Sequence, residues 1–166
     1  MVALDTAQLQ ALQTDITVTH AAETYEGKTL AQWWADGGDQ EISEWYNFVA
    51  APVVDIWRAN ITTREFGDVV SYDELLSLSG VDLQVYLLMI AGEPVDATRQ
   101  SIRDGFAAIL NGPQRATSRA AVIAMAMRPA TYGEALFSSG PVDGAFISTI
   151  AGDPITRQNV SDARLV

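Results

Sequence analysis

Apolar positions recur at helical spacing along most of the first 139 residues, and the pattern is lost after that. In residues 6–16, Leu9, Leu12 and Ile16 fall on one face, which predicts an amphipathic helix with Asp5 or Thr6 as its cap. "TLAQWWA" at 29–35 predicts a short helix stopped by Gly37-Gly38. Ile42, Trp45, Tyr46 and Val49 form a stripe that predicts a helix over 40–50, broken at Pro52. Residues 53–62 are ambiguous, because β-branched residues compete with a helical placement of Trp57 and Ile61. "YDELLSL" at 72–78 gives one or two helical turns.

The next segment, from Val81 to Ala91, is apolar almost all round. It predicts a central buried helix with Gly92 at its C-cap and Pro94 just beyond. A helix capped by Asp96 follows and runs to Leu110. It carries Ile102, Phe106, Ile109 and Leu110 on one face and Arg99 and Arg103 off it, and Asn111-Gly112-Pro113 stops it. Residues 118–127 restart with alanines that permit close helix packing, and Tyr132–Phe137 adds a turn or two. From Gly140 no helical period persists for twenty residues. Phe146, Ser148 and Ile150 predict one side of a strand, 151–154 a turn, and 155–160 a return strand, with a final helical turn at Ser161-Asp162.

The expected fold is therefore mainly α: a compact helical bundle over residues 1–139 with an extended C-terminal arm or β-hairpin over 140–166. An isolated hairpin is marginal in water, so the arm is expected to lie on the helical body or on a neighbouring molecule.

Composition narrows the chemistry. A chain of 166 residues, 48% of them apolar, is large enough to build one core. No run reaches the roughly 18 apolar residues of a membrane span, and the first ten residues lack the basic start of a signal peptide. The absence of cysteine removes disulfides, thiolate nucleophiles and zinc–sulfur sites. The single histidine, His20, is expected in an exposed helix-end or loop position; a metal site or a Ser–His–Asp triad would have to use it alone. Phosphate-binding glycine loops and EF-hand loops are lacking. The pairs Asp36/Asp39, Glu41/Glu44 and Asp73/Glu74 lie in polar stretches beside turns and read as solvated acidic surface. No enzymatic activity, catalytic residue, metal or cofactor is expected.

Charge is uneven. Residues 1–96 hold Lys28, Arg58 and Arg64 against sixteen acids, whereas 97–166 hold seven arginines against five acids. Overall acidity opposes binding to phosphate backbones; the asymmetry either lets one face dock on an oppositely charged one or is a solubilising surface with incidental clustering. Arg99, Arg103, Arg115 and Arg119 are therefore candidate subunit-interface residues, with Trp33 and Trp57, since arginine and tryptophan are enriched at interfaces. Trp33, Trp34, Trp45, Tyr46, Phe48 and Trp57 read together as a packing hub rather than a ligand pocket, because no convergent polar groups accompany them.

"ISEWYNFVAAPVVDIWRANIT" resembles a segment of small virion proteins of tailed bacteriophages, in which a WYN-bearing helix runs through a proline turn into a W-R-x-x-(V/I)-T stretch. The later order is similar: an acidic segment "FGDVVSYDELLSL", the helix "GVDLQVYLLMI", the arginine-bearing "RQSIRDGFAAIL", then "GEALFSSG" and a closing "ITRQNVSDARLV". The likeness covers residues 40–166 and departs at "VDLQVYLLMI", where the pattern has a more basic, tryptophan-containing helix.

The resemblance implies a head–tail connector protein: an adaptor ring of about twelve copies beneath the portal protein, contacting a downstream neck or tail protein. DNA would pass through without specific binding, and no membrane would be involved. Its place would be the virion neck, after assembly in the host cytoplasm. On this reading Phe146, Ile147, Ile150, Ile155, Val160 and Leu165 of the arm grip a partner, and deleting 141–166 leaves a folded monomer that no longer binds. Two other readings stand beside it. One is a tail terminator, stopper or assembly factor; the other is an acidic interaction protein, a DNA mimic or inhibitor of a host factor.

Overall fold

A computed structural model describes residues 3–91, 94–150 and 152–166. Helix α1 (Thr6–Thr14) runs into a π-helical turn, Asp15–Thr19. Strands β1 (Thr24–Tyr25) and β2 (Lys28–Thr29) form an antiparallel hairpin with Thr24 opposite Thr29. Glu26 and Gly27 carry its turn at φ 48° and 83°, the left-handed pair that a two-residue hairpin loop requires. There follow α2 (Leu30–Asp36), α3 (Asp39–Tyr46), β3 (Asp55–Trp57), α4 (Thr63–Val69), α5 (Tyr72–Leu76), α6 (Gly80–Ala91) and α7 (Gln100–Ile109). A 3₁₀ turn, Pro113–Arg115, leads to α8 (Ala116–Ala126), β4 (Met127–Pro129), α9 (Tyr132–Leu136) and α10 (Arg157–Ala163). Strands β3 and β4 pair in a second two-stranded sheet. The protein is mainly helical, as its apolar spacing predicts.

Several of these helices are too short to hold by propensity alone. Their starts are fixed by reciprocal capping boxes: Asp5 with Gln8, Thr29 with Gln32, Thr62 with Glu65, Thr131 with Glu134 and Thr156 with Asn159. Each box satisfies two backbone donors that would otherwise be orphaned. Gly37, at φ 78°, closes α2 by donating to the carbonyls of Trp33 and Trp34.

The chain builds two compact units, and neither is a continuous segment. Unit 1 comprises Met1–Val54, Pro129–Gly140 and Ser148–Val166. Its core joins Leu12, Ile16, Leu30, Ile42, Trp45, Tyr46 and Phe137 to Ile150, Ile155, Val160 and Ala163. Unit 2 comprises Asp55–Arg128 and Pro141–Ile147. Its core is set by Trp57, Ile61, Phe66, Tyr86, Ile90, Phe106, Ile109, Leu110 and Val122, with the Phe66 and Phe106 rings stacked 4.8 Å apart.

The helix expected from an Asp96 cap begins instead at Gln100, after Arg99, and Asp96 accepts from the Thr98 N–H. Four larger expectations also change. First, the division at 139/140 is replaced: the chain enters unit 2 at Pro141, but Ser148 onward returns to unit 1. Second, the return strand expected over 155–160 is helix instead, because Thr156 and Asn159 cap Arg157–Ala163. The strand expected at 146–150 is reduced to isolated bridges, Ile56 with Phe146 and Ser138 with Ser148. Third, the predicted helix over 40–50 ends at Tyr46, well before Pro52. Val49 lies past its end and is exposed. Fourth, α6 is not buried all round. Only Tyr86 and Ile90 are buried, and Val81, Val85, Leu87 and Leu88 face solvent. The cap expected at Gly92 and part of the turn at 151–154 (Ala151) lie outside the described residues. The ambiguous stretch 53–62 resolves into β3 and a loop in which Ile61 bridges Val95.

Candidate interaction surfaces

The residues assigned to a gripping arm divide three ways. Ile150, Ile155 and Val160 are 2%, 2% and 0% exposed, so they serve unit 1's own core and cannot bind a partner. Phe146 and Ile147 are half-buried in unit 2, where the Phe146 carbonyl accepts from the Trp57 N–H at 3.0 Å. Leu165 alone stays fully outside, at 83% exposure.

What holds the tail home is polar as well as apolar. The Asn47 side chain mimics a neighbouring strand: its Nδ2 donates to the Ile155 carbonyl at 2.8 Å, and its Oδ1 accepts from the Ile155 N–H at 3.0 Å. Arg164 lies with its guanidinium carbon 4.0 Å from the Trp34 ring centre, and its Nε donates to Asp39 at 2.7 Å. Ile155 also leans on Gly133, where an added Cβ would come within 2.5 Å of it.

The candidate interface arginines are also partly spent within the chain. The Arg103 side chain is only 7% exposed. It donates to the carbonyls of Ala97 and Thr98 and to Gln100, pairs with Asp143 at 3.0 Å, and lies 5.2 Å from the Trp57 ring centre. Hydrogen bonds from Arg103, then from Gln100, hold the Asp143 carboxyl below its ordinary range. Arg115 donates to the carbonyls of Ile109, Asn111 and Ser77, pinning the loop after α7 to the end of α5. Arg99 is exposed, and Arg119 makes one long contact, 3.4 Å to the Leu110 carbonyl.

Trp57 is 3% exposed and its Nε1 donates to the Val142 carbonyl, so it is core. Trp33 is half-buried, with Nε1 donating to Tyr25 O and Lys28 Nζ 4.4 Å from its ring. The aromatic stretch thus feeds two cores: Trp45 and Tyr46 in unit 1, and Trp57 in unit 2.

His20 stands at a helix end, as expected, but is only partly exposed. The π-helical turn sets it against Asp15, with Nδ1 donating to Oδ2 at 2.8 Å. The same oxygen accepts from the Tyr46 hydroxyl at 2.6 Å. Asp15 is 6% exposed, and burial, then the Asp15 charge, pushes the Tyr46 phenol far above its ordinary range. The imidazole packs 5.2 Å from Trp45 and 5.7 Å from Tyr132. The triplet satisfies a buried carboxylate with two donors and orders the face of α3. A five-residue spacing carries no helical signal, so this site was not readable from periodicity.

Unit 2 presents two open apolar surfaces among the described residues. A cavity of about 230 Å³ lies among α4, α7 and α8, walled by Phe66, Phe106, Leu110, Val122 and Ile123, with Arg119 and Asp143 among its polar lining. Ile123 is 42% exposed. On α6, Val81, Val85 and Leu88 are 69%, 41% and 75% exposed and share one face by their i, i+4, i+7 spacing. Scattered exposed aliphatics are ordinary, but a stripe of them on one helix is an interaction signature.

Among the described residues no group of three or more histidine, aspartate or glutamate side chains could hold a metal ion, and no helix is long and apolar enough to cross a membrane. No protein family, curated protein or solved structure matches the chain.

Proposed function

We propose that this chain is a structural subunit of a tailed-phage virion, an adaptor ring of the head–tail connector between the portal protein and downstream neck components. The observation that carries the reading is the apolar stripe Val81, Val85 and Leu88, which the fold leaves facing solvent. A helix with two apolar faces, one buried in its own unit and one bare, suits a protein that completes its burial by assembly. The bacteriophage-like order of motifs over residues 40–166 supports the same role. The acidic excess suits a channel wall along which DNA slides without adhering. A detachable arm plays no part in this role: of Phe146, Ile147, Ile150, Ile155, Val160 and Leu165, Leu165 is the one left fully exposed.

The test is location. In purified intact particles the chain is expected at the neck by electron cryo-microscopy. Native mass spectrometry with the cognate portal should give a multimeric ring complex. Absence from purified particles together with no association with the portal would refute the role.

A further inference from the structure

We infer that the α6 stripe of one copy docks head-to-tail into the apolar cavity between α7 and α8 of the next copy; the inference rests on the ring-forming role proposed above and names its contact surface. Three observations lead to it.

The first is shape. Val81, Val85 and Leu88 project along one side of α6, opposite the Tyr86 and Ile90 face that packs on its own core. This is the anchor spacing of helix-in-groove recognition. The cavity offers about 230 Å³ with a mainly apolar wall that Arg103, Arg119 and Asp143 interrupt. A cavity of about 150 Å³ lined by aliphatic and aromatic side chains already admits a benzene ring, so this one has room for aliphatic side chains presented by a helix.

The second is charge. From Glu65 through Thr98 the sequence has seven acids and no lysine or arginine; from Arg99 through Arg128 it has five arginines and one acid, Asp104. The segment bearing the stripe is therefore acidic and the segment bearing the cavity basic. Arg103 and Arg115 are committed within the chain, but Arg119 lines the cavity without an ion pair among the described residues, and Arg99 is exposed. Asp82, one helical turn before Val85 and partly exposed, is the acid that α6 itself carries beside the stripe.

The third is symmetry. Stripe and cavity are different surfaces of the same unit, so their contact is heterologous. A heterologous contact repeats into a closed ring when its rotation closes, whereas an α6–α6 contact would stop at a dimer.

The chain has no cysteine, which makes directed crosslinking clean. Leu88→Cys and Ile123→Cys, both at exposed positions, are prepared in the full-length chain, with exposed Gln10→Cys as a collision control. Under mild oxidation a mixture of L88C and I123C is expected to give a disulfide-linked heterodimer. The double variant should give a ladder, and each single variant should stay at the Gln10→Cys level. Adding Leu88→Asp to chains carrying the groove cysteine and a stripe cysteine at Val85 should abolish the ladder with unchanged far-ultraviolet circular dichroism. Self-crosslinking of L88C alone would overturn the proposal in favour of an α6–α6 dimer, and crosslinking no higher than the control would overturn it outright. Either failure leaves the neck location to be decided by microscopy. Conversely, crosslinks in a protein missing from the particle would sink the connector role and leave the contact between copies standing.

Discussion

Asn47 closes two backbone hydrogen bonds of Ile155 with one side chain. Removing it orphans a donor and an acceptor beside a residue that is 2% exposed. Asn47→Ala is therefore expected to cost about 2 kcal/mol, within the usual penalty for stranded polar groups. Asn47→Asp keeps the acceptor for the Ile155 N–H but turns a carboxylate oxygen on the Ile155 and Ser43 carbonyls, so at neutral pH it should cost at least as much as Asn47→Ala; urea denaturation checks the order. Glu65 offers a pH handle. Hydrogen bonds from the Thr62 backbone, then from Arg58, pull its carboxyl from an ordinary 4.5 to about 2. A depressed folded value means that its contribution is complete above pH 4.5 and is lost as pH falls from there through about 2. The gap in urea midpoint between the wild type and Glu65→Gln should thus be widest near neutrality and close in strong acid; a gap independent of pH would refute the assignment. Only one of the two is legible in the sequence. Asn47 gains its meaning from a partner 108 positions away, whereas Glu65 closes a Thr-x-x-Glu box that local spacing shows.

Among the elements, α1, α2 and α7 follow directly from apolar spacing, because each presents one face to a core. The tail does not. Its seven-residue helix α10 is shorter than the window in which a 3.6 period can be told from a strand. The residues that fix it, Thr156 and Asn159, form a box with asparagine where glutamate or glutamine is usual. For α6 the failure ran the other way: apolar residues all round implied burial, yet one face is bare, since composition reports what a helix can bury and not what the chain supplies to cover it. Two expected outcomes follow for the tail. Ile155→Ala should destabilise unit 1 by about 2–5 kcal/mol, the range for emptying a buried aliphatic site. Thr156→Ala should cost about 1 kcal/mol through its cap. A loss within error for Ile155→Ala would mean that the tail is dispensable to the fold, and would restore the arm.

For the molecule, the interleaving of segments decides what can be cut away. Unit 1 recruits α9 and α10 from beyond residue 128, whereas unit 2 needs only 55–128 and the short return 141–147. Deleting 141–166 would strip Ile150, Ile155, Val160 and Ala163 from the first core and Ala145 from the second, so the folded, binding-deficient monomer expected from sequence should not result. The complementary fragment, 55–147, contains all of unit 2, including the Val142 carbonyl that receives the Trp57 indole N–H. Of the four tryptophans only Trp57 lies in it, which makes it a built-in reporter. The isolated fragment should show the blue-shifted emission of a buried indole and a cooperative shift to the red in urea, while 1–140 should emit as a largely exposed, non-cooperative chain. Red-shifted emission from 55–147 without denaturant would mean that unit 2 depends on the rest of the chain. A folded 55–147 would also carry both surfaces of the proposed contact, α6 and the α7–α8 cavity, so its L88C/I123C crosslinking can be measured without unit 1. Association through these surfaces is steered by opposite charge, so the crosslinking rate should fall as salt shortens the Debye length from about 10 Å to about 3 Å. A rate indifferent to salt would leave the apolar fit without the charge complementarity that singled out this partner.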